Sequence, residues 1–275
     1  MIDSFVLLTP VLLLAVVSLL VFVGCDVVLG LKRVETPQNV TATTRSQRVD
    51  LAWSGHPDAN EYFVYRHQGT ANPVKIGTVM KPTTSYRDTN GLVDGMEYLY
   101  AVSLHDGDEE GPKSNPPIKA IPNPLAFVQT IMLTTARNDF TGFVGMGIQV
   151  GSEDLDIVQL GRPFGLGNTR IHKIKIVDAA SNAELGSVML DTNQLPRSIG
   201  DFQYAPLPQK VTLTAGGIYY ILSQETNGQD QFYRHDAVAT TTDVASLVGA
   251  YFEQTPGTIS QDETPPRIYP VDFKY

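Results

Sequence analysis

Arg48-Val49-Asp50-Leu51-Ala52-Trp53 decides the fold class. Val49, Leu51 and Trp53 alternate with Asp50 and Ala52, so an extended chain carries three large apolar side chains on one face. The same period of two returns at Tyr62 and Val64, and again at Tyr98, Tyr100 and Val102. Turn-forming runs separate these segments: Gly55-His56-Pro57-Asp58, Thr89-Asn90-Gly91 and Asp94-Gly95. No stretch of residues 34–122 carries a stripe of period 3.6, so this part is read as short strands closed into a sandwich.

Residues 125–275 read the same way. The alternating runs predict strands at Phe127–Leu133, Phe140–Val150, Ile157–Leu160, Ile171–Val177, Glu184–Leu190, Asp201–Tyr204, Lys210–Leu213, Ile218–Gln224, Ser246–Phe252 and Ile268–Tyr275. Turn residues fall between them, at Ser181-Asn182, Gly216-Gly217, Asn227-Gly228 and Pro256-Gly257 among others. Strands this short and this numerous predict two packed sheets, most simply a jelly roll. Ile121-Pro122-Asn123-Pro124 supplies a stiff boundary, which divides the chain into residues 34–122 and 123–275.

Two resemblances sharpen this all-β expectation. Residues 34–122 resemble a fibronectin type III domain. Pro37-Gln38-Asn39-Val40-Thr41-Ala42 is similar to its first strand, Arg48–Trp53 to its second with Trp53 as core tryptophan, and Tyr62–Arg66 to its third. Leu92 followed by Tyr98 resembles its tyrosine corner, in which a phenol ties a loop to the backbone. The resemblance implies a seven-stranded sandwich and no particular activity. Residues 123–275 resemble a jelly-roll module of unassigned function found in bacterial surface and secreted proteins. That likeness rests on Arg137–Met146, Ser223–Thr226, Asp230–Tyr233 and Pro270–Tyr275. Phe143 and Phe232 stand where that module carries Trp.

Ahead of both modules, Phe5–Gly24 runs for twenty residues without a charge, about 30 Å as a helix and enough to cross a bilayer core. Residues 1–33 are therefore expected to form a membrane anchor, in one of three forms. Val21-Phe22-Val23-Gly24-Cys25 resembles a lipoprotein lipobox, which implies acylation of Cys25, the one cysteine of the chain. An uncleaved hydrophobic helix and a plain cleaved signal peptide are the other two readings. Lys32 and Arg33 just beyond the run favour a cytoplasmic following segment, whereas the module types favour export to a cell surface or periplasm.

Composition narrows the function. A formal charge of −9 disfavours nucleic acid, whose recognition requires a basic face. One cysteine allows no internal disulfide. The histidines His56, His67, His105, His172 and His235 form no metalloprotease pair, and neither a G-x-S-x-G nor a P-loop is present. Asp106, Asp108, Glu110 and Gly111 imitate the opening of a calcium loop, but Pro117 stands where its last carboxylate belongs. An acidic hairpin is the simpler reading there. No cofactor is expected beyond a structural calcium ion.

Gln224, Glu225, Asp230, Gln231, Phe232 and Tyr233 bracket the loop 226–229. Amides and carboxylates beside aromatic rings are the equipment for holding a sugar, by hydrogen bonds to hydroxyls and stacking on its C–H face. The plainer alternative makes Phe232 and Tyr233 core residues, with Glu225 and Asp230 tying the loop to backbone amides. Arg137, Asn138 and Asp139 pose the same choice between ligand and hairpin cap. Three functions compete on this basis: a tethered surface protein whose outer sandwich binds extracellular glycan or another surface protein; a structural component of an envelope, appendage or virus particle; and a hydrolase using Glu225 and Asp230 as its carboxylate pair.

Overall fold

The computed structural model describes residues 34–193 and 198–275. The hydrophobic run at 5–24 and Cys25 lie outside the described residues. Among the described residues all regular structure is β, and no helix is long and apolar enough to cross a membrane.

The first seven strands are β1 (Thr41–Arg45), β2 (Arg48–Ala52), β3 (Glu61–His67), β4 (Val74–Met80), β5 (Ser85–Asp88), β6 (Tyr98–His105) and β7 (Ile118–Ala120). They form a three-stranded sheet in the order β1-β2-β5 and a four-stranded sheet in the order β4-β3-β6-β7. This is the seven-stranded arrangement implied for a fibronectin type III sandwich. The alternation read from the sequence becomes burial: Val49, Leu51, Tyr62, Val64, Tyr100 and Val102 are all at most 1% exposed. Trp53 is buried and meets Tyr62 edge to face, with ring centroids 5.3 Å apart. The tyrosine corner forms as expected, the Val93 amide donating to the Tyr98 hydroxyl at 3.0 Å. One expectation needs correcting. The first strand begins at Thr41, so Pro37–Val40 stay outside the sheet, in keeping with a proline that cannot donate to a ladder.

The remaining strands are β8 (Val128–Met132), β9 (Ala136–Arg137), β10 (Gly142–Val150), β11 (Leu155–Pro163), β12 (Ile171–Asp178), β13 (Glu184–Asp191), β14 (Phe202–Leu213), β15 (Ile218–Glu225), β16 (Phe232–Tyr233), β17 (Ala237–Thr241), β18 (Ala245–Thr255), β19 (Thr258–Glu263), β20 (Arg267–Ile268) and β21 (Asp272–Lys274). One layer is a six-stranded sheet in the order β13-β12-β15-β10-β18-β19. The other joins β14-β11-β21 to β20-β17-β8 through backbone bonds that pair Leu125 and Phe127 with Tyr275 and Phe273. Neighbours in both layers are mostly distant in sequence, as a jelly-roll topology requires.

Alternation again sorts the side chains. Met146, Ile148 and Val150 of β10, Ile174 and Ile176 of β12, and Tyr219 and Ile221 of β15 meet Leu155, Ile157, Leu160, Phe127 and Phe273 in the core. Phe127 and Phe273 stack at 4.6 Å between centroids and 12° between planes. A second tyrosine corner forms here, the Thr214 amide donating to the Tyr219 hydroxyl at 3.0 Å. Predicted runs Asp201–Tyr204 and Lys210–Leu213 turn out to be the two ends of β14, which continues through Pro206 and Pro208 as the edge of its sheet. Prolines at an edge forfeit no ladder bond. The predicted strand Ile268–Tyr275 divides into β20 and β21, and β9, β16, β17 and β19 escape the sequence reading. Packing of Cα atoms groups residues 51–86 and 99–118 in one compact unit and 119–275 in another, with 42–50 and 87–98 counted in the latter.

Candidate functional site

The six residues bracketing loop 226–229 do not share one surface. Gln224 and Gln231 are exposed, whereas Glu225, Asp230, Phe232 and Tyr233 are buried. Phe232 lies in an apolar cluster with Val144, Ala250 and Tyr269. The Tyr233 hydroxyl donates to the Phe164 carbonyl. Arg137–Asp139 come to the same place: β9 pairs with β16, the Gly228 amide donates to the Asn138 carbonyl, and the Arg137 guanidinium sits 5.6 Å from the centre of the Phe232 ring. Two of the four sequence stretches that carried the resemblance therefore zip against one another.

Glu225 and Asp230 enter a buried polar network with two residues that no motif had marked, Arg162 of β11 and His172 of β12. Arg162 Nη1 lies 3.1 Å from Glu225 Oε1, and its Nη2 donates to the Gln231 carbonyl at 2.8 Å. Asp230 Oδ2 accepts from the Arg170 amide at 2.8 Å and from the Thr192 hydroxyl and His172 Nε2 at 3.1 Å. Arg162 also contacts His172 Nδ1. The same Nδ1 lies 2.6 Å from the Gln224 carbonyl, so the ring is held from both of its nitrogens.

Burial pushes the Glu225 carboxyl up to about 7, against the opposing pull of Arg162. Burial pushes Asp230 up as well, but bonds from His172 and the Arg170 and Thr169 amides outweigh it and hold the group below its ordinary value. Burial, reinforced by Arg162, pushes His172 down. The network pins loop 226–231 to β11 and β12. A hydrolytic carboxylate pair needs both groups open to substrate; with Glu225 2% and Asp230 7% exposed, these two are enclosed.

The acidic hairpin resolves similarly. Asp106 Oδ1 accepts from the Asp108 and Glu109 amides, and Glu110 accepts from the Tyr65 and Ser103 hydroxyls at 2.6 Å. Among the described residues no group of three or more His, Cys, Asp or Glu is arranged to hold a metal ion.

The outer face of the six-stranded sheet offers a different surface. Because even-numbered residues of β10 and odd-numbered residues of β15 point into the core, Phe143, Gly145 and Gly147 of β10 and Tyr220, Leu222 and Gln224 of β15 lie on the opposite face. Register brings β18 alongside, with Gly145 opposite Tyr251 and Phe143 opposite Glu253.

Tyr220 and Tyr251 meet across β10 at 4.5 Å between centroids, inclined by 42°. Gly147 makes room for them, since a β-carbon there would lie 2.5 Å from the Tyr251 ring. Beside the tyrosines Lys175 pairs with Glu253 and stands 4.0 Å above the Phe143 ring. Burial pushes both phenols upward, so they are neutral hydroxyls at physiological pH. Half-buried rings with polar tips on an outer sheet face suit a ligand that is apolar on one side and hydroxylated at its rim.

Sequence reasoning missed this surface because its two tyrosines are neighbours only through the register of β10. The glycines at 145 and 147 are its one local sign, since glycine inside a strand marks a bulge or a close backbone approach. Both occur: register shifts between Gly147 and Ile148, and a β-carbon at Gly145 would lie 1.8 Å from the Ile221 carbonyl.

No family model matches the chain. An amylopullulanase of Thermoanaerobacterium saccharolyticum is 37% identical over 73 residues, 26% of this chain and 6% of that protein. The chain thus spans a small part of that relative's length. Among solved structures it is similar to a Fn3-like protein from Clostridium thermocellum, at 28% identity and TM-score 0.29, covering 34% of this chain and 97% of that one. It is also similar to one of the carbohydrate-binding modules of the β-sandwich superfamily, at 11% identity and TM-score 0.27, covering 78% and 99% of the respective chains. The fold assignment stands on the strand pairing described above.

Proposed function

We propose that this chain is a non-catalytic surface protein whose outer sandwich, residues 123–275, binds glycan. Residues 34–122 serve as its fibronectin type III spacer, and residues 1–33 hold it at a membrane. The observation that carries the glycan reading is the half-buried Tyr220–Tyr251 pair on the outer face of the six-stranded sheet. Neither phenol has a protein hydrogen-bond partner among the described residues, and the Gln224 side chain on the same face is likewise without one. The amylopullulanase among the similar proteins is consistent with a glycan ligand.

Retention of the purified full-length chain on a panel of polysaccharides tests this, with Tyr220→Ala and Tyr251→Ala as variants. Stacking on one aromatic ring is worth on the order of 1 kcal/mol, so either variant should weaken retention about five- to tenfold. A folded protein retained by no glycan sinks the proposal.

A second reading, as a structural subunit, draws on one specific feature. Strand β13 is a sheet edge, and beside it Ile171, Leu185 and Met189 are exposed. Unprotected edges pair with other chains. Sedimentation that shows self-association, lost in Met189→Lys, would favour this reading over the first.

A further inference from the structure

We infer that the Tyr220–Tyr251 face selects neutral glycan chains and rejects anionic polysaccharides; this rests on the glycan reading above and deepens it. The charge arrangement of the face carries the inference. Two lysines lie on it, Lys173 and Lys175, and each is already matched. Lys173 Nζ bonds Glu184 at 2.8 Å, and Lys175 pairs with Glu253. Glu253 is fixed further by the Gly257 amide at 2.7 Å.

A uronate or sulfate group gives up hydration on binding and requires an unmatched cation to replace it. This face has none to offer among the described residues. A carboxylate arriving there would meet Glu184 as closely as the Lys173 it neutralises, while Lys175 and Glu253 are buried against each other.

The polar groups left over are neutral, namely the two phenols and the Gln224 amide. A phenol can donate and accept, and an amide can do both, which matches sugar hydroxyls. Tyr220 and Gln224 stand four residues apart on one strand, about 13 Å. That span exceeds a single pyranose ring, so the occupant is a chain rather than a monosaccharide.

The test compares the full-length chain on soluble starch, hydroxyethyl cellulose, polygalacturonate and alginate by affinity electrophoresis. Expected is retention by at least one neutral polymer, tenfold or more stronger than by either polyuronate. The informative variant is Glu184→Gln, an exposed substitution that frees Lys173 without touching either tyrosine. It should raise polygalacturonate retention several-fold at low salt and leave retention by the neutral polymer unchanged.

Polyuronate retention by the unmodified protein equal to or above the neutral polymers would overturn the inference while leaving the glycan reading standing. So would a Glu184→Gln variant with unaltered polygalacturonate retention. Absence of retention by all four polymers would remove the glycan reading itself, and this inference with it.

Discussion

Replacing Glu225 by glutamine should stabilise the protein at neutral pH, although it removes one half of a buried ion pair. The carboxyl is 2% exposed and titrates near 7 in the folded chain, against an ordinary value of 4.5. Between these two values the unfolded chain has released its proton and the folded chain has not. Stability therefore falls as pH rises through that window. At 1.36 kcal/mol per pKa unit the loss reaches on the order of 3 kcal/mol by pH 7.

An amide in place of the carboxyl would keep the shape and an oxygen to accept from Ser223 and Arg162, with no proton to lose. Near pH 4 the two proteins should be about equally stable, because Glu225 is then largely protonated in both folded and unfolded states. At pH 7.5 the variant should lead by roughly 3 kcal/mol. Asp272, also pushed up to about 7 by burial, slopes the same way in both proteins and cancels from the difference. Urea unfolding of each protein at regular pH intervals from about 4 to 8 measures the gap. A wild type more stable than the variant at pH 7.5 would refute the reasoning. It would mean that attraction to Arg162 outweighs desolvation and that Glu225 is ionised throughout.

Further perturbations separate the parts of the molecule. Phe273→Ala deletes a fully buried ring stacked on Phe127 and should cost about 3–5 kcal/mol, read as a drop in thermal midpoint. Tyr98→Phe strips the Val93 amide of its acceptor and should cost about 1 kcal/mol in denaturant unfolding. Lys175→Ala leaves the buried Glu253 without its cation and should cost on the order of 3 kcal/mol, whereas the double replacement Lys175→Met with Glu253→Leu should recover most of that in the same assay. Gly147→Val drives a side chain into the Tyr251 ring. Because a ring can swing aside, the fold should survive by circular dichroism while polysaccharide retention is lost.

Much of the architecture could be read from the chain alone, because period-two alternation is a local property. Val49, Leu51 and Trp53 are buried because a pleated strand puts every second side chain on the same side. Leu92 and Tyr98 announced their corner because both partners lie within six residues. Prolines misled at two places: Pro206 and Pro208 broke the pattern of β14 without breaking the strand, since an edge asks for no donor there.

The site depended on what only the tertiary structure decides, which is register. Tyr220 and Tyr251 meet because β15 and β18 flank β10 in one particular alignment, and a one-residue slip of either would turn its tyrosine to the other face. Arg162 and His172 carry no motif, and they found Glu225 and Asp230 only once the two layers closed over them. Sequence also marked Glu225, Asp230 and Phe232 as distinctive, but their distance from water is a property of the packed sandwich. Local periodicity specifies strands and the faces they bury; which faces meet, and which polar groups are sealed between them, follows from long-range pairing that no single segment encodes.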